Sequence, residues 1–287
     1  MALPLPLPAD HPFLPSGIFG NDVVLVTGGG TGLGKAMAEA FARHGAAVAI
    51  VSRKEEHRTS GIEAVRAVGG RAIGVAVDIR DTAQISAAFD QIEAELGAVS
   101  ILVNNAAGRF MAPAEDMSDN GWRAVTQIVL DGTFFCSREF HRRRLASGQP
   151  GSILNISATY AWTGGPGSAH SAAAKAAVNN LTQTLAVEWA PDMVRVNALA
   201  PGYFPHGDTV QHMRGDWSKG RERQMPAGRP GHLQELGWAA TFLCSPFASY
   251  VTGHVMVVDG ANWLRHRASS QSDFVPVREW ARAGNSS

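Results

Sequence analysis

The sequence predicts an α/β protein built around one doubly wound, parallel sheet of seven strands. Short runs rich in Val and Ile alternate with longer segments of helical period from Asn21 to about Ala200, which is typical of successive βαβ units. A glycine-rich turn joins the first strand to the first helix. The chain has 287 residues, 45% of them hydrophobic, enough for a single large core. Together these features predict one Rossmann-type domain, with ligands at the carboxyl ends of the strands.

The elements follow from the apolar periodicity and from glycines at the expected helix ends, such as Gly45 and Gly97. The predicted strands are 23–27, 47–52, 72–77, 100–104, 151–156, 194–199 and 254–258. The predicted helices are 33–44, 55–68, 82–96, 119–146, 168–190 and 232–244.

The predicted domain spans 21–262. Residues 1–20 are interrupted by proline every few positions and lack the basic start of a signal peptide, so we expect an extended arm. The polar, Gly- and Pro-rich stretch 203–231 is long for a loop in such a domain, which favours a substrate lid over an ordinary surface excursion. Residues 263–287 form a C-terminal extension of unassigned role.

Lys plus Arg and Asp plus Glu both total 25, so net charge favours neither nucleic acid nor an anionic membrane as a partner. Cys136 and Cys244 lie far apart, and no Cys/His spacing predicts a metal site. They are expected to be buried thiols in a reducing compartment. There is no apolar run of membrane-spanning length and no C-terminal sorting tripeptide, so we expect a soluble, cytoplasmic protein acting on small molecules.

The glycine turn predicts a dinucleotide site. Gly28, Gly32 and Gly34 follow a buried strand and open a helix, so backbone amides can approach a pyrophosphate at the positive end of the helix dipole. The expected contacts lie within this turn: Gly28, Gly30, Thr31, Gly32, Leu33 and Gly34.

The end of the second strand distinguishes the two nicotinamide cofactors. An acidic residue there would bind the ribose of NAD, but the strand ends in Ser52 and Arg53. A guanidinium suits a phosphate monoester, so NADP(H) is predicted. Lys54 either assists or is a solvated helix start. Asp78, after the third strand, either accepts from the adenine amino group or serves as a cap or turn residue.

These residues resemble the short-chain dehydrogenase/reductase family. The matching stretches are TGGGTGLG at 27–34, Asp78, NNAAG at 104–108, Lys175, Pro201-Gly202 and VDG at 258–260. The resemblance implies hydride transfer to or from a nicotinamide, and usually a homotetramer. It also implies that the 104–108 segment, with Asn105 and Ala106, supports the cofactor together with Lys175, Pro201 and Gly202.

The catalytic segment departs from the usual family pattern. Ser171 stands where most members carry a tyrosine, four residues before Lys175. Ala158 and Val129 replace the expected serine and asparagine. This arrangement is similar to the 2,4-dienoyl-CoA reductase branch, in which a serine replaces the tyrosine and another tyrosine precedes it by eleven residues, as Tyr160 does here.

The branch implies that hydride passes from NADPH to the δ carbon of a conjugated dienoyl-CoA thioester, as in fatty-acid oxidation. Tyr160 would donate to the thioester oxygen, and Lys175 would bind the nicotinamide ribose. Ser171 and Lys175 would position a water that protonates the carbon chain.

Three residues of the expected substrate region leave alternatives open. Arg109 replaces the asparagine that follows the NNAAG motif, and it could stabilise an enolate oxygen or bind a carboxylate or a CoA phosphate. Phe110 and Ser118 match positions that line the acyl and thioester region, but a wall phenylalanine and a helix cap explain them equally well.

Two further functions stay open at this point. The chain could be an ordinary alcohol or carbonyl oxidoreductase with Tyr160 or His170 as the acid, or an NADP-binding protein without turnover. Buried packing or exposure to water is the simpler interpretation of His170. The basic run 141–144, at a helix end, is expected to be solvated.

Overall fold

Seven parallel strands form one sheet within residues 2–207 and 225–267, the part of the chain that the computed structural model describes. The strands are β1 (Val23–Thr27), β2 (Ala47–Val51), β3 (Arg71–Val75), β4 (Val99–Asn104), β5 (Gly151–Ile156), β6 (Val194–Pro201) and β7 (Val255–Val258). Their order across the sheet is β3-β2-β1-β4-β5-β6-β7. The predicted doubly wound sheet is confirmed.

Helices cover both faces of the sheet. They are α1 (Gly32–Arg43), α2 (Glu55–Ala67), α3 (Thr82–Leu96), α4 (Asp119–Thr126), α5 (Gly132–Ser147), α6 (Tyr160–Thr163), α7 (Ala169–Trp189) and α8 (Leu233–Cys244). The helix predicted over 119–146 is present, but a five-residue π-helical segment, Gln127–Asp131, joins α4 to α5 within it. The sequence pattern does not reveal this local change in backbone hydrogen bonding. The one-turn helix α6 was also not predicted.

The two faces of the strands fill two separate cores. Val24, Val26 and Ile50 pack towards α1 and α8, whereas Val23, Leu25 and the residues in register with them pack towards α3, α5 and α7. Successive side chains of a strand point to opposite faces. Strands buried on both faces therefore read as the continuous apolar runs seen in the sequence.

The strand order reverses between β1 and β4, and this switch point is where a crevice opens at the carboxyl ends of a doubly wound sheet. Hydrogen bonds connect the ends of β1 and β4 at this point. Thr27 Oγ1 accepts the backbone N–H groups of both Asn105 and Ala106 at 3.0 Å. These bonds place the glycine turn after β1 next to the segment that follows β4.

The N-terminal arm lies against the domain without forming a strand or helix. Its first part is exposed, but Leu14 and Phe19 are buried, with the Phe19 ring edge-on to Phe41. Leu3 donates its backbone N–H to Ala227 at 2.7 Å. Most of the predicted lid, 208–224, and of the C-terminal extension, 268–287, lies outside the described residues.

None of the helices in the described ranges combines the length and apolar character needed to cross a bilayer.

The expectation that residues 141–144 are solvated is wrong for three of the four, since only Arg142 is exposed. His141 bonds Asp192 at 2.8 Å and stacks on Trp189, and Arg144 is buried. Arg143 ties α5 to α3 through a set of charge-assisted hydrogen bonds, which it donates to Asp90, Glu93 and Glu139 at 2.8–2.9 Å. His141, Arg143 and Arg144 therefore make structural contacts between α5 and neighbouring parts of the protein.

Replacing Arg143 by Met is expected to lower the free energy of unfolding by about 1–3 kcal/mol, because three carboxylates lose their shared partner in a partly buried setting. Urea unfolding measures the loss. The neighbouring exposed Arg142 provides the matched control, and Arg142→Met should stay within about 0.5 kcal/mol of the wild type. Equal effects of the two substitutions would show that the ion-pair cluster does not stabilise the protein.

Candidate active site

The glycine turn forms a cradle that fits a pyrophosphate. Gly28 and Gly32 have φ of 65° and 49°, the left-handed region that glycine adopts without strain. A Cβ at Gly30 would lie 2.0 Å from the carbonyl oxygen of His57. Thr31, the N-cap of α1, makes no side-chain capping bond in the described structure. The first N–H groups of α1 are therefore left for an anion at the positive end of the helix dipole.

Asn105 braces this turn from the side. Its Nδ2 donates to the carbonyl oxygens of Thr27 and Gly28 at 3.0 Å. A Cβ on Gly34 would lie 2.4 Å from the same nitrogen, so this glycine is needed for the close approach. Ala106 and Leu33 are partly buried and pack against opposite cores.

Asn104 points into the protein. Its Nδ2 donates to Ser137 and to Asn155, both at 2.9 Å, and Asn155 in turn donates to Thr182. Asn104 is buried in this polar chain behind the sheet end. Asn104 therefore supports the 104–108 segment from inside the protein, and its side chain does not line the crevice.

Basic side chains converge where β2 ends. Arg53 is 57% exposed, and its Nη1 lies 3.6 Å from Asp78. Arg80 forms hydrogen bonds to both carboxylate oxygens of Asp78 and holds the pKa of that carboxyl down, at about 2. Arg58 donates to the carbonyl oxygens of Ser52 and Arg53 at 2.9 Å. The structure thus places two further arginines at the position predicted for the 2′-phosphate.

Arg58 and Arg80 were not predicted from the sequence. Arg80 follows Asp78 by only two residues, so its proximity to that carboxylate could have been predicted, whereas Arg58 contacts the strand end because α2 folds back over it. Lys54 pairs with Glu56 at 3.5 Å and precedes α2 as its N-cap. Asp78 does not cap α3; that role belongs to Asp81, whose side chain accepts from two backbone N–H groups.

Lys175 lies on α7 with its side chain almost fully buried. Its Nζ donates to the carbonyl oxygen of Ile156 at the end of β5. Burial lowers the pKa of the ammonium from 10.5 to about 8, because the charged form is poorly solvated there. Val129, at the position where the family resemblance implies an asparagine, packs with Ala174 and Val178 of the same helix.

Tyr160 and Ser171 meet across the crevice. Tyr160 begins α6 just after β5, and its hydroxyl lies 3.1 Å from Ser171 Oγ. Ser171 is buried one helical turn before Lys175. The spacing of eleven residues therefore brings both hydroxyls together. Ser157 turns away, because its hydroxyl donates to Asn179 at 2.5 Å.

The three predicted substrate residues lie on the segment that follows β4 and at the start of α4. Arg109 is exposed. The Phe110 ring stands edge-to-face against His170, with centroids 4.5 Å apart, and it covers Gly121, where a Cβ would lie 2.9 Å from its ring. Ser118 accepts the N–H of Gly121 at 3.1 Å and so caps α4. Phe110 and Ser118 thus meet around Gly121, and the cap interpretation of Ser118 is confirmed.

The segment after β6 reaches the glycine turn. Pro201 ends β6, and Gly202 donates its N–H to Val258 at 3.0 Å, with a hypothetical Cβ 2.4 Å from Asp259. Gly202 is therefore required by a close approach of β7. The ring of His206 lies against Gly32, where an added Cβ would be 2.5 Å from it. His206 was not predicted, since nothing in its local sequence marks it.

No group of three or more His, Cys, Asp or Glu side chains within 2–207 and 225–267 is arranged to hold a metal ion.

Comparison with known proteins gives a consistent set of relatives. Residues 28–261 match the family described as Enoyl-(Acyl carrier protein) reductase. A probable 2,4-dienoyl-CoA reductase of Bacillus subtilis is 40% identical, with 84% of this chain and 96% of the relative covered. The mouse peroxisomal 2,4-dienoyl-CoA reductase is 38% identical over 90% of this chain and 89% of its own length.

Solved structures agree with this set. A short chain dehydrogenase from Bacillus anthracis is 42% identical and superposes with a TM-score of 0.78, covering 85% of this chain and 97% of its own. A structure from Agrobacterium tumefaciens, described as a putative 2-deoxy-d-gluconate 3-dehydrogenase with bound NADP, is 34% identical with a TM-score of 0.77 and the same coverage.

Proposed function

This chain belongs to the short-chain dehydrogenase/reductase family, and on that premise we propose that it uses NADPH to reduce a conjugated enoyl- or dienoyl-CoA thioester. The observation that carries the proposal is the Tyr160–Ser171 hydroxyl pair beside Lys175. The names of the relatives, several of which are 2,4-dienoyl-CoA reductases, support the same substrate class.

The nicotinamide cofactor supplies a hydride when bound. The glycine cradle of 28–34 would hold its pyrophosphate, and Asn105 would keep that cradle in place. Arg53 and Arg80 would bind the 2′-phosphate, since two guanidiniums beside one carboxylate leave donors for an added anion. Lys175 would hold the nicotinamide ribose, and Pro201 and Gly202 would form the opposite wall of the cofactor site.

Arg53→Asp is expected to weaken NADPH binding by about 10- to 100-fold, because a charge-assisted contact to phosphate is lost and a repulsive charge is gained. NADH binding should change by less than about threefold. Fluorescence titration of both cofactors measures the difference, and the exposed Arg142→Asp is the matched control. Equal losses of affinity for NADPH and NADH would show that Arg53 does not bind the 2′-phosphate.

The substrate chemistry follows from the groups around the crevice. Hydride addition at the δ carbon of a dienoyl thioester moves an electron pair onto the thioester oxygen and gives a dienolate. Tyr160 would donate a hydrogen bond to that oxygen, where negative charge develops. Arg109, exposed at the crevice rim, would bind the same oxygen or a phosphate of CoA. A proton from a water held by Ser171 and Lys175 then completes the reduction at carbon.

This division of roles explains why a serine can stand where a tyrosine is usual. Reduction of a ketone needs an acid for the developing alkoxide, and an aliphatic hydroxyl is a poor one. A dienolate is protonated at carbon by water, so no strong acid is required of the protein. Ser171 then serves to hold Tyr160 and the water.

The direct test is NADPH oxidation on addition of 2,4-hexadienoyl-CoA, followed at the NADPH absorbance. We expect turnover with hexadienoyl-CoA and none with simple ketones. Oxidation with ketones but with no dienoyl-CoA of any chain length would contradict the proposal and favour an ordinary carbonyl oxidoreductase. Tight NADPH binding with no turnover on either class would favour a cofactor-binding protein.

We also propose a homotetramer in the cytoplasm, acting in fatty-acid metabolism. The large apolar residues Val187, Phe247 and Tyr250 are mostly exposed on the described surface, which supports a covered face in an assembly. The free thiols of Cys136 and Cys244 are buried, which supports a reducing compartment. Light scattering and microscopy of a tagged chain test these two points.

A further inference from the structure

His170 is a buried histidine that the chemistry above does not use. It is the second residue of α7 and precedes Ser171, and its side chain is fully buried. Its Nδ1 accepts the backbone N–H of Ser171 at 2.7 Å. In the tautomer that accepts this bond, the neutral ring carries its hydrogen on Nε2.

Nε2 of His170 has no hydrogen-bond partner among the described residues. A buried donor without an acceptor is unfavourable, so such a group in a folded protein calls for an explanation, and a ligand is one. The ring packed against His170 is Phe110. Phe110 is 41% exposed and lies on the segment 105–113, which forms neither helix nor strand.

Burial keeps the pKa of His170 below its ordinary value, and the nearby positive charge of Arg109 acts in the same direction, while a backbone contact with Ser168 opposes them. The ring is therefore neutral near pH 7. A neutral imidazole still offers one strong N–H donor, and such a donor can polarise a carbonyl without transferring its proton.

We infer that His170 is a further catalytic residue, which donates from Nε2 to the thioester oxygen of the substrate. This inference rests on the proposed reduction of a dienoyl thioester. An acyl thioester that displaced the partly exposed Phe110 ring would reach this nitrogen, on the residue that precedes Ser171 of the Tyr160–Ser171 pair. Two donors, the phenol and the imidazole, would then stabilise the dienolate oxygen. Arg109 would be left for the anionic end of CoA, in keeping with its exposure.

The test compares wild type with His170→Phe, which keeps the ring volume but loses the donor, and with His170→Gln, which keeps an N–H. We expect kcat with hexadienoyl-CoA to fall about 100- to 1000-fold in His170→Phe, with the NADPH Kd changed by less than about twofold. His170→Gln should recover at least about tenfold of that loss. Because the Gln carbonyl oxygen can also accept the Ser171 N–H, rescue of kcat is combined with a measurement that reports on the substrate oxygen itself.

A second measurement needs no turnover. With NADP+ bound, hexadienoyl-CoA cannot be reduced, and a donor on its thioester oxygen shifts the dienoyl absorption to longer wavelength. We expect this shift in the wild type and in His170→Gln, and a smaller one in His170→Phe. If His170→Phe does not fold, His170→Leu serves in both measurements.

Equal kcat in wild type and His170→Phe, or equal absorption shifts, would overturn the role of His170 while the proposed function stands. A wild-type protein that does not oxidise NADPH with hexadienoyl-CoA would overturn the proposed function, and this inference with it.

Discussion

Tyr160→Phe is expected to lower kcat/KM for hexadienoyl-CoA by about 100- to 1000-fold, the usual cost of removing one donor to a developing oxyanion. The phenol is the group that meets Ser171 at 3.1 Å, and phenylalanine keeps the ring while removing only the hydroxyl. Steady-state kinetics with NADPH measures the effect. NADPH affinity should change little, because no part of the predicted cofactor site involves this ring.

The chain offers a matched control for this substitution. Tyr250 belongs to the exposed apolar face proposed to be covered in the assembly and not to the candidate site. Phenylalanine keeps its apolar ring, so Tyr250→Phe should leave kcat/KM within about twofold. A Tyr160→Phe variant as active as Tyr250→Phe would exclude the phenol from catalysis and would remove the main support for dienolate stabilisation.

Lys175→Met is expected to lower kcat/KM by at least about 100-fold, since the ammonium is to hold the ribose and the protonating water. Arg142, exposed on α5 and outside the candidate site, gives the control, and Arg142→Met should retain activity. If the charged ammonium is the working form, kcat/KM of the wild type falls as pH rises through about 8, the pKa that burial gives Lys175. A flat profile between pH 7 and 9 would contradict this assignment.

The same lysine should make the free energy of unfolding rise with pH over a range in which kcat/KM falls. Its pKa falls from 10.5 to about 8 on folding, so between these values the unfolded chain holds a proton that the folded chain has lost. Stability of the wild type relative to Lys175→Met therefore rises with pH across this window, by up to roughly 3 kcal/mol. Denaturant unfolding at pH 7 and pH 10 measures it. No pH-dependent difference between the two proteins would show that the ammonium is not desolvated.

The sheet and most helices could be predicted because their signal is repeated along the chain. Each strand is an apolar run buried on both faces, and each helix keeps one apolar stripe, so neighbouring elements support the same fold. The π-helical segment at Gln127–Asp131 could not be predicted, since it differs from the α-helix around it in its backbone hydrogen bonds.

The candidate site was predictable to the extent that its parts are close in sequence. Tyr160, Ser171 and Lys175 are tied by fixed spacings around one strand end and one helix, so their proximity follows from local geometry. His206 reaches the site from a distant element, and only the tertiary fold places it there. Arg58 lies five and six residues from the carbonyl oxygens that it binds, but no sequence pattern marks this contact. The expectation of a solvated run at 141–144 failed because two of the three carboxylates that bind Arg143 lie on another helix.

The most direct measurement is the destination of the hydride. NADPH carrying deuterium at the transferred position is incubated with the protein and hexadienoyl-CoA, and the product is analysed by NMR. We expect one deuterium at the δ carbon of the acyl chain and solvent hydrogen at the protonated carbon. Deuterium at the β carbon, or a product in which a carbonyl has become an alcohol, would contradict it.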